Sequence, residues 1–307
     1  MLNYFKKLSQ VNIDKENLII INFDGRMGNQ MFQWAFARAY QAKNGIMPIF
    51  DDSLETLKLQ PFNLLKTLKV VPKPFFNKFL RKTIPLRKLR NKLTEIKYTL
   101  PTTQEANFCT FEEKLLSIQA PAYIRGFFQT EKYFSNIRQE LLEDFRLIKP
   151  LNKKNKEILE QINNTNSISV HFRRGDYLKA RVANIFGACS EEYYQKGIDE
   201  IASKLDKKPT IFVFSDDINW VKENITFKYD TVYVDANSGK QGFFDLELMK
   251  NCKHNIIANS SFSWWGAWLN ENPDKIVIAP TPWLDNKDNN DLIPEDWIKI
   301  EKNQSKS

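Results

Sequence analysis

Residues 171–177 read HFRRGDY and follow directly on the apolar run SISV. Two adjacent guanidiniums at the end of a buried strand call for an anion. Each presents a planar fork that grips phosphate bidentately and keeps its charge at any physiological pH, and one left unpaired in the interior is costly. A second polar group, Ser215-Asp216-Asp217, follows the run TIFVF, and a third, Asn259-Ser260-Ser261-Phe262, follows HNIIA. Ligands of open α/β sheets collect at the carboxyl ends of the strands, so the three clusters are expected to converge on one edge of one sheet. Arg173 and Arg174 would hold one side of a diphosphate. The Asn-Ser-Ser group, placed at a helix start with main-chain N–H groups beside hydroxyls, would cradle the other. A carboxylate, Asp216 or Asp217, is a double acceptor that suits the paired N–H donors of guanine, and His171 can serve base or phosphate.

Simpler readings exist for each group. The arginines can pair with Asp176, Asp216 or Asp217 can cap the helix that follows, and Trp264, Trp265 and Trp268 have the spacing of a packed helix face rather than a sugar platform.

The elements that must position these groups are legible from residue 167 onward. The runs SISVHF, TIFVFS, DTVYVD, HNIIA and KIVIA alternate with helical stretches beginning near Ser190, Asp217, Gly242 and Ser261. Strands too apolar to have a solvent face predict a parallel sheet covered on both sides, a Rossmann-like domain. Near the start, LIIINF is a strand, Gly25 and Gly28 bracket a turn, and Met31, Phe32, Ala35, Phe36 and Ala39 recur at helical spacing before Asn44-Gly45. The GRMGNQ turn lacks the GxGxxG dinucleotide fingerprint. Residues 50–120 are irregular, basic and Pro-punctuated, and read as helical insertions and loops. A polar stretch after Lys149-Pro150 reads as a linker running into a helix.

Composition narrows the class. The chain has 307 residues, 42% of them hydrophobic, enough for two ordinary cores. No apolar run approaches the roughly 20 residues needed to cross a bilayer, and the start lacks a secretory signal, so a cytoplasmic location is expected. Cys109, Cys189 and Cys252 are far apart and show no disulfide or zinc spacing. The net charge of +8 suggests a polyanionic partner. Between Lys66 and Lys97 stand eleven Lys or Arg residues and one acid, Glu95, interleaved with Phe75, Phe76, Phe79 and Leu80. That segment is either a solvated basic face or a peripheral contact with an anionic inner-membrane surface. Nucleic acid is not expected as a partner, because no RNP strand, zinc finger or helix-turn-helix accompanies the charge.

Taken together, GRMGNQMFQWAFARA at 25–39, SVHFRRGDY at 169–177, FVFSDDINW at 212–220 and DLELMKNCKHNIIANSSFSWWGAWLN at 245–270 resemble the α-1,2-fucosyltransferases of glycosyltransferase family 11. The resemblance spans most of the chain, residues 50–120 contributing little. It implies an α/β, GT-B-like fold, two Rossmann-like lobes facing a cleft. Residues 1–150 would form the acceptor-side lobe with a basic insertion at about 60–120, and 151–307 the GDP-fucose-binding lobe.

The implied reaction is an inverting transfer of fucose from GDP-fucose to the 2-hydroxyl of a terminal β-galactoside glycan, with no metal and no cofactor. Arg173 would contact the β-phosphate, Arg174 would support the pyrophosphate, and His171 with Ser215, Asp216 and Asp217 would hold guanine. Asn259, Ser260, Ser261 and Phe262 complete the donor side. Arg26, Asn29 and Gln30 are the acceptor-side candidates, with a purely structural turn as the alternative. Asp176 is the candidate general base, Asp24 and Asn29 being further candidates. Asp51-Asp52 and Asp216-Asp217 are the available paired carboxylates, and neither has a second ligand group that would hold a metal. Two other readings are a GDP-sugar transferase of different linkage or acceptor and a non-catalytic nucleotide- or RNA-binding protein.

Overall fold

Ile19–Asn22 (β1) is buried along its whole length and leads through Asp24-Gly25 into Met27–Asn44 (α1). In the computed structural model, residues 16–51, 58–59, 61–66, 70–71, 100–107, 109–175, 187–237, 239–284 and 291–303 are described. The chain divides into two compact units, Met1–Phe145 and Arg146–Ser307.

In the first unit the predicted apolar positions Met31, Phe32, Ala35, Phe36 and Ala39 of α1 are all buried. Gly45 ends the helix in the left-handed region, φ 74°, with its N–H on the Gln41 carbonyl at 2.8 Å. Ile49–Asp51 (β2), Val70–Val71 (β3), Thr102–Gln104 (β4) and Ala122–Arg125 (β5) follow, then the short helix Arg138–Asp144 (α2). The strands pair in parallel in the order β3-β2-β1-β5-β4. Part of the stretch read as insertions and loops therefore supplies two strands, too short and, in β4, too polar to show periodicity. The basic 72–99 portion lies outside the described residues.

The second unit begins with Lys153–Asn164 (α3), whose first turn is capped by Asn152 accepting from the Asn155 N–H at 2.9 Å. Then come Ser167–Phe172 (β6), Glu191–Ala202 (α4), Thr210–Ser215 (β7), Ile218–Asn224 (α5), Thr231–Tyr233 (β8), Gly242–Asn251 (α6), His254–Ile256 (β9), Ser261–Trp268 (α7), Val277–Thr281 (β10) and Ile298–Glu301 (β11). All five predicted strands and all four helix starts are present. β11 is an addition, an edge strand whose residues alternate between partly buried and exposed and which carries no apolar run.

The second sheet is parallel throughout, in the order β11-β10-β9-β6-β7-β8. The chain runs outward from β6 to β8, then returns to place β9 on the other side of β6. Strand order thus reverses between β6 and β9, and the carboxyl ends of those two strands flank the crevice that such a reversal opens. β6 ends in His171-Phe172, and Asn259 to Ser261 follow β9. Trp264, Trp265 and Trp268 are buried and packed on one another, Trp264 against Trp268 at 6.0 Å and nearly parallel, so the tryptophans belong to the core.

Candidate functional site

The two arginines after β6 are held by the turn after β7. Arg173 places Nη1 2.7 Å from Asp216 Oδ2, and the main-chain N–H of Arg174 donates to Asp216 Oδ1 at 2.9 Å. One carboxylate fork therefore serves both residues. Gly175 makes room for it: a Cβ at that position would come within 2.6 Å of Asp216 Oδ2. Asp217 is the N-cap of α5, its Oδ1 accepting from the Trp220 N–H at 3.4 Å while its own N–H donates to Ser215 Oγ at 2.9 Å. Its second oxygen, Oδ2, lies 3.9 Å from Arg174 Nε. The Arg174 guanidinium rests on the ring of Trp220, with Cζ 3.1 Å from the centroid. The helix-capping role thus falls to Asp217, and the counter-charge role to Asp216.

His171 is buried at the same strand end, its ring 5.6 Å from that of Phe262 and its carbonyl accepting from Tyr194 Oη at 3.1 Å. Its Nδ1 is buried with no hydrogen-bond partner. Burial, and secondarily the charge on Arg173, push the imidazole down to about 3, so it is neutral at physiological pH. A neutral ring with an unmet nitrogen beside the Arg173 cation is suited to a hydrogen bond from or to a ligand rather than to an ion pair.

The Asn259 segment serves a different purpose in part. The Asn259 side chain is buried and donates to the main-chain carbonyls of Gly187 at 3.0 Å and Trp283 at 3.1 Å, tying three loops together. Ser260 is the N-cap of α7 without a side-chain cap bond. Ser261 and Phe262 form the first turn, where a helix leaves main-chain N–H groups without intrahelical partners.

Asp176 lies outside the described residues. Arg26, Asn29 and Gln30 belong to the first unit. Gln30 is fully buried, its Nε2 donating to the Gly25 carbonyl at 3.3 Å and its Oε1 accepting from the Lys58 N–H at 2.8 Å. Its amide is bonded within and beside the turn, as in the structural alternative read from the sequence. Asn29 Oδ1 accepts from Gln129 Nε2 at 2.9 Å, and Arg26 is exposed at the start of α1.

Several residues that the sequence did not single out shape these edges. Gln33, fully buried, accepts from the Asp24 N–H at 3.0 Å and donates to the Gly126 carbonyl at 2.9 Å. Asn22 accepts from the Gly126 N–H at 3.1 Å, and Glu105 takes the N–H groups of Phe127 at 2.8 Å and Phe128 at 3.2 Å. Polar bonds thus lace the turn after β1 to the loop after β5. In the second unit, Asp245 in the first turn of α6 accepts from Asn237 at 2.8 Å, and Asn237 in turn pairs with Asn155 at 2.8 Å. Both helix starts and the exit of β8 lie at the carboxyl edge of the sheet, so Asp245 borders the same rim as the arginines. A lone carboxylate in the otherwise apolar turn GFFDL was the available signal.

Among the described residues no helix is long and apolar enough to cross a membrane. Comparison with known proteins places the chain among sugar transferases. It is 33% identical to the alpha-1,2-colitosyltransferase of Escherichia coli, over 93% of this chain and 100% of that protein. It is 25% identical to the galactoside 2-alpha-L-fucosyltransferase Sec1 of Mus musculus, over 84% and 66%. The crystal structure of fucosyltransferase NodZ from Bradyrhizobium aligns with a TM-score of 0.43 at 14% identity, covering 81% of this chain and 91% of that one. The model of the family described as glycosyl transferase family 11 matches residues 2–301, nearly the whole sequence, and the chain is therefore a glycosyltransferase belonging to that family.

Proposed function

We propose that the protein transfers L-fucose from GDP-β-L-fucose to the 2-hydroxyl of a terminal β-galactoside, by inverting displacement and without a metal. The observation that carries this reading is the arginine pair at the point where strand order reverses, held in place by Asp216 and Asp217. As the glycosidic bond breaks, the leaving GDP gains negative charge on its β-phosphate. A fixed guanidinium there stabilises the transition state more than the ground state. Arg173 fills that role, with Arg174 on the neighbouring phosphate. Neutral His171 addresses the nucleotide by hydrogen bonding. Asp216 is committed to the arginines, so the acceptor for guanine's paired N–H donors is Asp217 or Asp245. Asp176 takes the proton from the acceptor hydroxyl. Arg26 and Asn29 are assigned to the acceptor side.

The similarity to fucosyl- and colitosyltransferases supports a nucleotide-sugar donor and a glycan acceptor. It also favours a second reading of the donor. The relative that matches along its full length is named for colitose, the sugar that differs from fucose in lacking the 3-hydroxyl. A pocket that hydrogen-bonds that hydroxyl rejects the deoxy sugar strongly, whereas an apolar pocket discriminates weakly against the hydroxyl.

Turnover with lactose in EDTA, with GDP-fucose and GDP-colitose in parallel, tests the proposal. Fucosylated lactose from the wild type and a loss of about a hundredfold or more in Arg173→Ala are expected. Preference for GDP-colitose replaces the donor. Dependence on added divalent metal removes the metal-free step, and failure to bind GDP removes the donor site altogether.

A further inference from the structure

We propose that Trp220 is a positioning residue for Arg174, fixing the plane of its guanidinium so that the terminal N–H groups meet a donor diphosphate in one orientation. The proposal rests on the donor-site reading above and concerns a residue to which neither the motifs nor that reading gave a role. Two residues of one helical turn bracket the arginine. Asp217, the cap of α5, stands 3.9 Å from Nε, and Trp220, three residues on, lies beneath the guanidinium with 3.1 Å between Cζ and the ring centroid. The cap itself fixes Trp220, because Asp217 Oδ1 accepts the Trp220 N–H. The indole also packs against the apolar core between β6, β7 and α5, so the platform is anchored from below.

The chemistry fits an orienting role. Arg174 has only 17% of its side chain exposed, its Nε is buried without a hydrogen bond, and its bond to Asp216 is made by the main-chain N–H, not by the guanidinium. A long side chain left to choose among rotamers pays an ordering cost when an anion arrives. Stacking on an indole settles that cost in advance and, by the ring's quadrupole, favours the charged plane lying flat. With one face on Trp220 and Nε toward Asp217, the two terminal amino groups are left for a bidentate anion, the geometry that arginine offers and lysine does not.

The test is calorimetric binding of GDP and of guanosine to wild type, Trp220→Leu, Trp220→Phe, Arg174→Lys and the Arg174→Lys/Trp220→Leu double variant, with melting temperatures taken alongside. Leucine keeps much of the apolar volume and removes the aromatic face. The expected result is a roughly tenfold weaker affinity for GDP in Trp220→Leu, less than about threefold in Trp220→Phe, and guanosine affinity unchanged in both. In the Arg174→Lys background the leucine change should cost no more than about twofold, because the planar partner is already gone. Equal losses for GDP and guanosine, or losses that multiply in the double variant, overturn the inference while leaving the donor site standing. If Trp220→Leu is unfolded, an unaltered GDP affinity in Arg174→Lys overturns it instead. A wild type that binds neither ligand overturns the donor-site reading, and this inference with it.

Discussion

Among the described residues, Asp245 is a side chain whose ionisation gives the fold a pH dependence near neutrality. Burial pushes its carboxyl up to about 7, against the opposing pull of the hydrogen bond from Asn237. Between the ordinary carboxylate range and about pH 7 the folded protein holds a proton that the unfolded chain has released, so this group's contribution to stability falls as pH climbs through that window. His171 acts in the opposite sense at lower pH: from about 3 up to the ordinary imidazole value the unfolded chain binds the extra proton, and stability rises with pH. Asp245→Asn keeps an acceptor for Asn237 and removes the proton. Its melting temperature minus that of the wild type is therefore expected to increase by several degrees, ~3–6 °C, between pH 5 and pH 8, the His171 contribution cancelling in the difference. A difference that stays constant shows that the carboxyl is ionised in the folded protein. At this scale the sequence declared what the site needs but not who supplies it. HFRRGDY asks for an anion, and the nearest acid in the chain is Asp176. Among the described residues Arg173 pairs with Asp216, brought in by β6–β7 pairing at a sequence distance that no local spacing encodes.

At the scale of elements, the turn between β1 and α1 shows how few residues hold an edge in place. Gly25 adopts φ 73°, and a Cβ there would run into Asn29, whose side chain in turn holds Gln129. Gly25→Ala is expected to cost about 1–3 kcal/mol and to lower the melting temperature accordingly, with measurable loosening of the 126–130 loop by hydrogen exchange. An unchanged melting temperature means that the turn tolerates a shift of Asn29. Gly25 and the helix after it were legible because φ > 0 and a 3.6-residue period leave marks in sequence, whereas Gly28, read as the far side of the turn, already lies inside α1. The long β-branched strands β6 and β7 were legible for the same kind of reason. β3, with two residues, β4, reading TTQ, and β11, reading IKIE, left none: their place is set by pairing with β2, β5 and β10 and not by their own composition. Gln33, Asn22 and, just after β4, Glu105 were equally silent, since a buried polar side chain looks in sequence like a surface position.

At the scale of the whole molecule, each unit is a parallel sheet whose strand order reverses beside its first strand, β1 beside β5 and β6 beside β9. In the first unit that point is closed over by main-chain bonds to Asn22, Gln33 and Glu105. In the second the arginines leave β6 at that point and pair with carboxylates from the turn after β7. The chain carries a net charge of +8, yet the cluster of Arg173, Arg174, Asp216 and Asp217 sums to zero. Asp216 and Asp217 are, in effect, built-in counterions. At the proposed donor site, a diphosphate meets arginines already balanced by tethered carboxylates, so few mobile ions are displaced into solution, and ionic strength screens its attraction to the arginines and its repulsion by the carboxylates together. GDP affinity is accordingly expected to change by less than about threefold between 50 and 200 mM salt, and to become steeper in Asp216→Asn, which a titration series at four salt concentrations would measure. A steep wild-type dependence means that the charge drawing in the nucleotide comes from elsewhere on the chain. The ion pair that keeps the arginines poised would thus let the protein hold its donor with nearly constant grip as the salt around it changes.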